Sequence, residues 1–179
     1  VGTLSEITAR KQAEEALHSS VESLREAQTI GGLGSYVLDI PKGLWNSSDV
    51  LDLLFGIGPQ YERSVAGWIA LIHVDDRQMM ADYLNEVVLA RGQPFNKEYR
   101  VVRQNDQAVR WVHGKGRLDF DAKGRPVRMS GTIQDITDRV QGLQVIENLL
   151  RDQKAILDSA IVGFMKVRDR KIIWVNEEL

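Results

Sequence analysis

Residues 95–137 read FNKEYRVVRQNDQAVRWVHGKGRLDFDAKGRPVRMSGTIQDIT. Two polar turns, at 104–107 and 121–125, divide this stretch into three runs rich in strand-forming residues. We therefore predict three consecutive strands of one sheet, which are Phe95–Arg103, Ala108–Phe120 and Pro126–Thr137.

A second group of short elements precedes these strands. Residues 34–40 show the alternating pattern of a strand. The pattern is interrupted at Pro41-Lys42-Gly43 and resumes at 44–46, which predicts a hairpin. Capping residues and closing glycines then predict two short helices, about 49–55 and 65–72, and a longer helix from Asp75 or Asp76 to about Arg91. The resulting order, β-β-α-α-α-β-β-β, predicts an α+β fold: a five-stranded antiparallel sheet with helices on one face.

An internal repeat predicts the organisation of the chain. Residues 2–10, GTLSEITAR, recur 129 positions later as GTIQDITDR, and six positions between 2 and 12 are identical in the two copies. We expect a fragment of a tandem array. Its predicted parts are the last strand of a preceding copy (1–8), a linker helix (9–30), one complete copy (31–137), a second linker helix (138–159) and the start of a following copy (160–179).

The second linker helix carries a seven-residue leucine repeat, listed as Leu143, Leu150 and Leu157. Such an apolar edge needs a cover in water. Two interpretations stay open: the helix packs on its own domain, or it forms a short parallel coiled coil with a second chain. The second interpretation predicts a homodimer through the linker helices.

Composition excludes several kinds of protein. The chain has 179 residues, no cysteine, and 23 basic against 25 acidic residues, for a net charge of −2. Disulfides and thiolate metal sites are therefore excluded, and a nucleic-acid partner is not expected. No apolar run is long enough to span a bilayer and no signal peptide opens the chain, so we expect a cytoplasmic fragment without direct membrane contact, whether or not its parent protein is tethered.

Short motifs follow a fixed order through residues 31–137. They are Gly34-x-Tyr36-x-x-Asp39, Trp45-Asn46-Ser47, Leu54-Phe55-Gly56, Trp68-x-x-x-Ile72-His73-Val74-Asp75-Asp76-Arg77, Glu98-Tyr99-Arg100-Val101, Val109-Arg110-Trp111-Val112, Gly124-Arg125 and Gly131-Thr132-x-x-Asp135-Ile136-Thr137. Together they resemble a PAS sensor domain with its C-terminal PAC segment, in the tryptophan-rich variant. Val74 departs from the family, which usually has proline there, and Asn105-Asp106 replaces an Asp-Gly turn.

The resemblance implies a ligand cavity between sheet and helices, unless the same residues form a core without a ligand. Its candidate residues are Tyr36, Trp45, Met79, Met80, Tyr99, Trp111 and His113. Flavin photosensors of the family need an adduct-forming cysteine, which this chain lacks, and haem-binding relatives usually carry a histidine on the long helix, where residues 76–91 have none. The cofactor is therefore unknown, with non-covalent FAD or a small ligand left open.

Neither a catalytic site nor a metal site is predicted. The chain has no P-loop, no Gly-x-Ser-x-Gly and no His-Glu-x-x-His, so we do not expect this fragment to be an enzyme. We interpret Asp75 or Asp76 as a helix cap and His73 as bonded to nearby backbone, rather than as metal ligands.

By resemblance, the expected function is a sensory and signal-relay module of a multidomain bacterial signalling protein, of the sensor histidine kinase or cyclic-dinucleotide-turnover type. Its partners would be the adjacent PAS copies and an output domain of the same chain. The junction Asp135, Ile136 and Thr137 would transmit the signal into the linker helix. The alternative is a ligand-free PAS copy that serves as a dimerisation or spacer module.

Overall fold

The computed structural model describes residues 4–158 and 165–175. Five strands form one antiparallel sheet, as predicted, in the spatial order β2-β1-β5-β4-β3. They are β1 (Leu33–Asp39), β2 (Leu44–Ser47), β3 (Phe95–Val102), β4 (Val109–Phe120) and β5 (Pro126–Asp135). Tyr36 of β1 lies opposite Gly131 of β5, which in turn lies opposite Gly116 of β4. This row of residues shapes the inner face of the sheet.

Three helical segments separate the hairpin from the last three strands. Helix α2 (Asp49–Phe55) begins at Ser48, whose side chain accepts the Leu51 N–H, and ends at Gly56 in the left-handed conformation. Helix α3 (Val65–Leu71) begins in the same way at Ser64. Helix α4 (Arg77–Asp82) continues as a π-helix over Tyr83–Leu89. The α+β prediction is therefore confirmed.

The start of the long helix differs from the prediction. A 3₁₀ turn (Val74–Asp76) precedes α4, and the Asp76 side chain makes no capping hydrogen bond. Its carboxylate instead accepts hydrogen bonds from Arg100 on β3. Arg100 offers this carboxylate a backbone N–H and two guanidinium N–H groups at once, and several charge-assisted bonds to one partner favour that partner over a single helix N–H. His73 does accept a backbone N–H, that of Asp75, at 3.4 Å.

The core lies between the inner face of the sheet and the helices α2, α3 and α4 with its π-helical continuation. Trp45 belongs to it, as predicted. Trp111 does not: it is half-buried, whereas its neighbour Val112 is fully buried. Adjacent strand residues point to opposite faces, and β4 turns Val112 and Gly114 inward. The prediction of a Trp111 side chain in the packed interior was therefore wrong.

Residues 4–8 are helical, which corrects the prediction that residues 1–8 form the last strand of a preceding copy. They begin helix α1 (Leu4–Ile30), which includes the helix predicted over 9–30. A strand needs a neighbour to bond its backbone groups, and no described strand pairs with these residues. The following residues are rich in Ala, Glu and Leu, which favour helix, so the helix extends into them. Residues 1–3 lie outside the described part.

Residues from 137 onward form a separate unit. It contains helix α5 (Thr137–Asp158) and a hairpin of β6 (Met165–Arg168) and β7 (Lys171–Val175). The hairpin lies in the segment expected to start a following copy, 160–179, and the tandem organisation stays a prediction. Among the described residues, no helix has the length and apolar character needed to cross a membrane.

Candidate functional site

A small cavity lies within the core of the domain. Its volume is about 50 Å³, and its wall is made by the inner face of the sheet, α2, α3 and the π-helical segment. No charged side chain lines it. The lining residues are Tyr36, Leu38, Trp45, Leu51, Phe55, Val65, Trp68, Leu84, Phe95, Tyr99, Met129 and Ile133.

Two glycines make room for the Tyr36 side chain on the inner face. A Cβ on Gly116 would lie 2.4 Å from the Tyr36 hydroxyl, and a Cβ on Gly131 would lie 2.0 Å from the Lys115 carbonyl oxygen. Both distances are far inside van der Waals contact, so neither position has space for a side chain. The Tyr36 hydroxyl donates a long hydrogen bond of 3.5 Å to the Lys115 carbonyl. The absence of side chains at these two positions therefore leaves the space beside the Tyr36 side chain, which lines the cavity.

Three polar groups of the cavity-lining side chains have hydrogen-bond partners. The Trp45 Nε1–H donates to the Ser64 carbonyl at 2.8 Å, and the Trp68 Nε1–H donates to the Tyr99 hydroxyl at 3.2 Å. Burial raises the pKa of Tyr99 and of Tyr36, and for Tyr36 the nearby Tyr99 adds to the rise. Both phenols stay neutral and keep their protons at any physiological pH.

Arg63 holds the segment between α2 and α3 in place through its hydrogen bonds. Its Nη2 donates to Asp52 Oδ2 at 2.6 Å and its Nε donates to Ser47 Oγ at 3.1 Å. The guanidinium also donates to three backbone carbonyls of the segment, those of Gly58, Pro59 and Tyr61. These bonds fix the position of α3, which contributes Val65 and Trp68 to the wall. Sequence reasoning did not single out Arg63, because its partners come from three elements.

Of the predicted pocket residues, the structure brings only Tyr36, Trp45 and Tyr99 to the cavity. Met80 is fully buried in the core but does not line the cavity, and Met79 is 42% exposed. Placing Met79 at a pocket was therefore wrong. Successive helix residues are rotated by about 100°, so two adjacent methionines cannot face the same core.

Trp111 and His113 also lie outside the cavity, which corrects two further placements. Both belong to the face of β4 that points away from the helices. The Trp111 ring lies 5.8 Å from the Arg100 guanidinium, and His113 Nε2 is bonded to Asn96 Oδ1 at 2.7 Å. The large aromatic residue is on the outer face because the inner face needs small residues: a Cβ on Gly114 would lie 2.6 Å from Phe95.

Several lining residues were missed. Phe95, Met129 and Ile133 alternate inward on β3 and β5, and a stricter count of period two would have found them. Trp68 and Leu84 lie on helical segments whose inward faces depend on tertiary packing. No sequence signal distinguishes a helical residue that lines a cavity from one that fills the core.

The cavity as packed does not fit FAD. Cavities that hold drug-sized ligands have volumes of about 300–1,000 Å³, several times the 50 Å³ found here. The wall also offers few polar groups for an isoalloxazine ring. Among the described residues, no group of three or more histidine or carboxylate side chains is placed to hold a metal ion.

The predicted signal-transfer junction lies where the sheet leads into α5. One residue, Ile136, separates the end of β5 from the start of α5. Its side chain is 7% exposed and its N–H donates to the Trp111 carbonyl at 2.9 Å. Asp135 lies 3.9 Å from the Arg110 guanidinium, and Thr137 is buried. The backbone of this junction is therefore hydrogen-bonded to β4 at Trp111.

The leucine repeat on α5 is open to solvent where the structure describes it. Leu143 is 57% exposed and Leu150 is 61% exposed, while the Leu157 side chain lies outside the described part. Ile146 and Leu149 beside them are exposed too. These side chains form an exposed apolar stripe on α5.

Comparison with known proteins places this geometry in a family. A family model described as the PAS fold matches residues 45–133. The uncharacterized protein y4lL of Sinorhizobium fredii is 26% identical over 97% of the chain and 19% of that protein. The sensor protein FixL of Bradyrhizobium diazoefficiens is 27% identical over 73% of the chain and 25% of that protein. The chain thus spans about a fifth to a quarter of these two relatives.

A solved structure supports the same assignment. The sensory box histidine kinase/response regulator of Burkholderia thailandensis superimposes with a TM-score of 0.58 at 25% identity. The match covers 72% of this chain and 98% of the solved chain. The fold of this domain therefore agrees with that of the sensory box protein.

Proposed function

The chain belongs to the PAS family, and from that premise we propose that it is a signal-relay module that passes a conformational signal through α5 to an output domain. A sensory role is supported by its relatives, which include a sensor protein and a sensory box histidine kinase. The output domain in the proposal is of the histidine kinase or cyclic-dinucleotide-turnover type. Catalysis is assigned to that domain and none to these residues.

The observation that carries the proposal is the direct passage of β5 into α5 through Ile136. A buried side chain and a backbone hydrogen bond to Trp111 hold this single connecting residue against β4. In the proposal, a shift in the packing of the sheet passes along the chain through Ile136 into α5. Packed elements switch between discrete arrangements rather than bending continuously, which suits a relay.

The proposal includes a homodimer formed through α5. Leu143 and Leu150 recur at seven residues, and Ile146 lies between them at coiled-coil spacing. A parallel two-stranded coil would cover this stripe and align the two output domains. The proposed setting is cytoplasmic, with adjacent domains of the same chain as further partners and no role for nucleic acid.

A second candidate function is a spacer that sets the register of the helices without a ligand. The small volume of the cavity favours this candidate, since most of the core is filled by side chains. Native mass spectrometry of the purified chain separates the two candidates. A bound small molecule, or visible absorption, supports sensing by this domain.

The relay is tested in the full-length protein by Asp135→Ala. Asp138→Ala is the matched control, because Asp138 is an exposed carboxylate only three residues away. We expect Asp135→Ala to abolish the signal-dependent change in phosphotransfer or cyclic-dinucleotide turnover while the melting temperature changes little. The control should respond like the wild type. Normal signalling by Asp135→Ala would show that the joint is not the relay.

A further inference from the structure

The outer face of the sheet, which points away from the helices, carries a basic groove. Alternation along β4 places Lys115 and Arg117 on this face. Thr132 of β5 lies opposite Lys115, and Ser130 lies opposite Arg117. Asn96 of β3 lies on the other side of Lys115. These five residues line an open groove of about 480 Å³.

Positive charge is concentrated on the hairpin of β4 and β5. Residues 109–135 hold six lysines and arginines but only three acidic residues, whereas the whole chain has 23 basic and 25 acidic residues. Two of these cations, Arg110 and Arg125, are paired with aspartates of the same hairpin. Lys115 and Arg117 are exposed and have no acidic partner in the part of the chain that the structure describes. Their charges are therefore free to attract an anion.

Acidic side chains flank the groove on the same face but do not line it among the described residues. Glu98 on β3 and Asp119 on β4 each lie two positions beyond a groove residue. Asp119 lies opposite Arg128, and Glu98 lies opposite His113. Each of these carboxylates thus has its own cross-strand neighbour outside the groove, and the groove keeps a net positive charge.

The groove offers hydrogen-bond donors of the kinds that bind phosphate. Alternate residues of a strand are about 7 Å apart, so an anion between Lys115 and Arg117 can reach both charges. A guanidinium binds phosphate through two parallel N–H groups, and an ammonium binds it as a point charge. The hydroxyls of Ser130 and Thr132 can donate from the neighbouring strand. The Asn96 amide oxygen is already bonded to an imidazole nitrogen at 2.7 Å, which leaves its N–H groups for a ligand.

We propose that this groove binds the phosphate or diphosphate group of a small phosphorylated molecule, held between Lys115 and Arg117. Each phosphate presents several strong acceptor oxygens, so it can accept from β4 and β5 at once, whereas a carboxylate has only two oxygens. The volume of the groove lies within the range of about 300–1,000 Å³ that is typical of small-molecule sites. This binding site goes beyond the signal relay and does not depend on it.

Inorganic diphosphate is the probe for the test. It is titrated at constant ionic strength into the 179-residue chain labelled with ¹⁵N. We expect saturable shifts of the backbone amide signals of residues 115–117 and 130–132. Sulfate should bind about tenfold more weakly, because it makes fewer charge-assisted hydrogen bonds. Equal binding of the two anions would mean an adventitious ion only.

Substitutions provide the second readout. We expect Arg117→Gln to weaken diphosphate binding about ten- to a hundredfold, the effect of losing charge-assisted hydrogen bonds, and Lys115→Gln to weaken it about tenfold. Lys123→Gln is the matched control, since that lysine is equally exposed but lies in the turn between β4 and β5, outside the groove. The control removes the same charge and should change the affinity less than about twofold, because salt screens a charge at that distance.

Three results would overturn the proposal. Amide signals of the groove that do not move with diphosphate would show that it has no such site. Equal weakening by Arg117→Gln and Lys123→Gln would mean that the overall charge of the hairpin attracts the anion. If a hexaglutamate peptide shifts the groove signals and diphosphate does not, the surface binds an acidic protein segment instead. None of these results bears on the relay, which Asp135→Ala tests through the output of the full-length protein.

Discussion

Asp76 and Arg100 join the start of helix α4 to β3, the edge strand of the sheet. The Asp76 carboxylate accepts the Arg100 backbone N–H at 3.0 Å and its guanidinium Nη2 at 2.5 Å. The side chain of Asp76 is only 13% exposed, so solvent screens this pair little. On the same edge of β3, the Tyr83 hydroxyl accepts the Asn96 N–H. The edge strand is thus covered by side chains rather than open to pairing with another chain.

We predict that Asp76→Asn lowers the free energy of unfolding by about 1–3 kcal/mol at pH 7, because it removes charge-assisted hydrogen bonds. Asp75→Asn is the matched control: that carboxylate is 64% exposed and lies 3.3 Å from the same guanidinium. The control should cost less than about 1 kcal/mol. Urea unfolding of both variants measures the difference, and equal losses would contradict the assignment.

The same pair predicts a pH dependence. Hydrogen bonding to Arg100 holds the pKa of Asp76 below its usual range. A carboxyl with a lowered pKa in the folded state contributes stability above its unfolded pKa of about 3.9 and loses it as the pH falls through the folded value. The stability gap between wild type and Asp76→Asn should therefore persist from pH 7 to about 5 and close below about pH 4. Unfolding curves at several pH values test this, and a gap that survives at pH 2 would contradict it.

The two strand tryptophans should differ in their contribution to stability. Trp45 is 7% exposed in the core, so Trp45→Ala should cost about 3–5 kcal/mol. Trp111 lies on the outer face beside Arg100, so Trp111→Ala should cost less than about 2 kcal/mol. Thermal and urea unfolding of the two variants compare them directly. A larger loss for Trp111→Ala would mean that the facing of β4 is wrong.

The two glycines beside Tyr36 predict a selective rescue. Gly116→Ala places its Cβ 2.4 Å from the Tyr36 hydroxyl, whereas the Cβ of Gly131→Ala meets the Lys115 backbone at 2.0 Å. Both changes should destabilise the domain. Adding Tyr36→Phe removes the hydroxyl and should restore much of the stability lost in Gly116→Ala. It should restore less of that lost in Gly131→Ala, whose Cβ lies 2.8 Å from the Tyr36 hydroxyl but is also blocked by the Lys115 backbone. Double-mutant cycles measure the two coupling energies. Equal coupling in the two cycles would refute the predicted contact.

The proposed dimer is tested by charge reversal of the exposed stripe. Leu143→Glu with Leu150→Glu should convert a dimer into a monomer in sedimentation velocity, because like charges would face each other across the coil. Val145→Glu is the control, since Val145 is 57% exposed and lies outside the 143, 146 and 150 spacing of the stripe. It should leave the dimer intact. A monomer both before and after the double change would eliminate the coiled coil.

The sequence alone was sufficient for the class of the fold and for its family. Strand alternation, serine caps and closing glycines are local signals, and they placed the five strands and the short helices because each depends on neighbouring residues only. Tyr36, Trp45 and Tyr99 were found as cavity residues from the motif pattern. These local signals agree with one another, which is why the architecture could be predicted.

Tertiary structure alone decided which face of β4 is buried, where Asp76 binds and how large the cavity is. Alternation assigns Trp111 and Val112 to opposite faces but does not say which is inside. The rings of Phe95 and Tyr36 decided that, because they cover the glycine face of the strand. Asp76 found its partner 24 residues away on β3 rather than in its own helix. The cavity volume is the space enclosed by the packed elements minus the volume of the side chains that fill it. Those side chains come together only when distant elements pack.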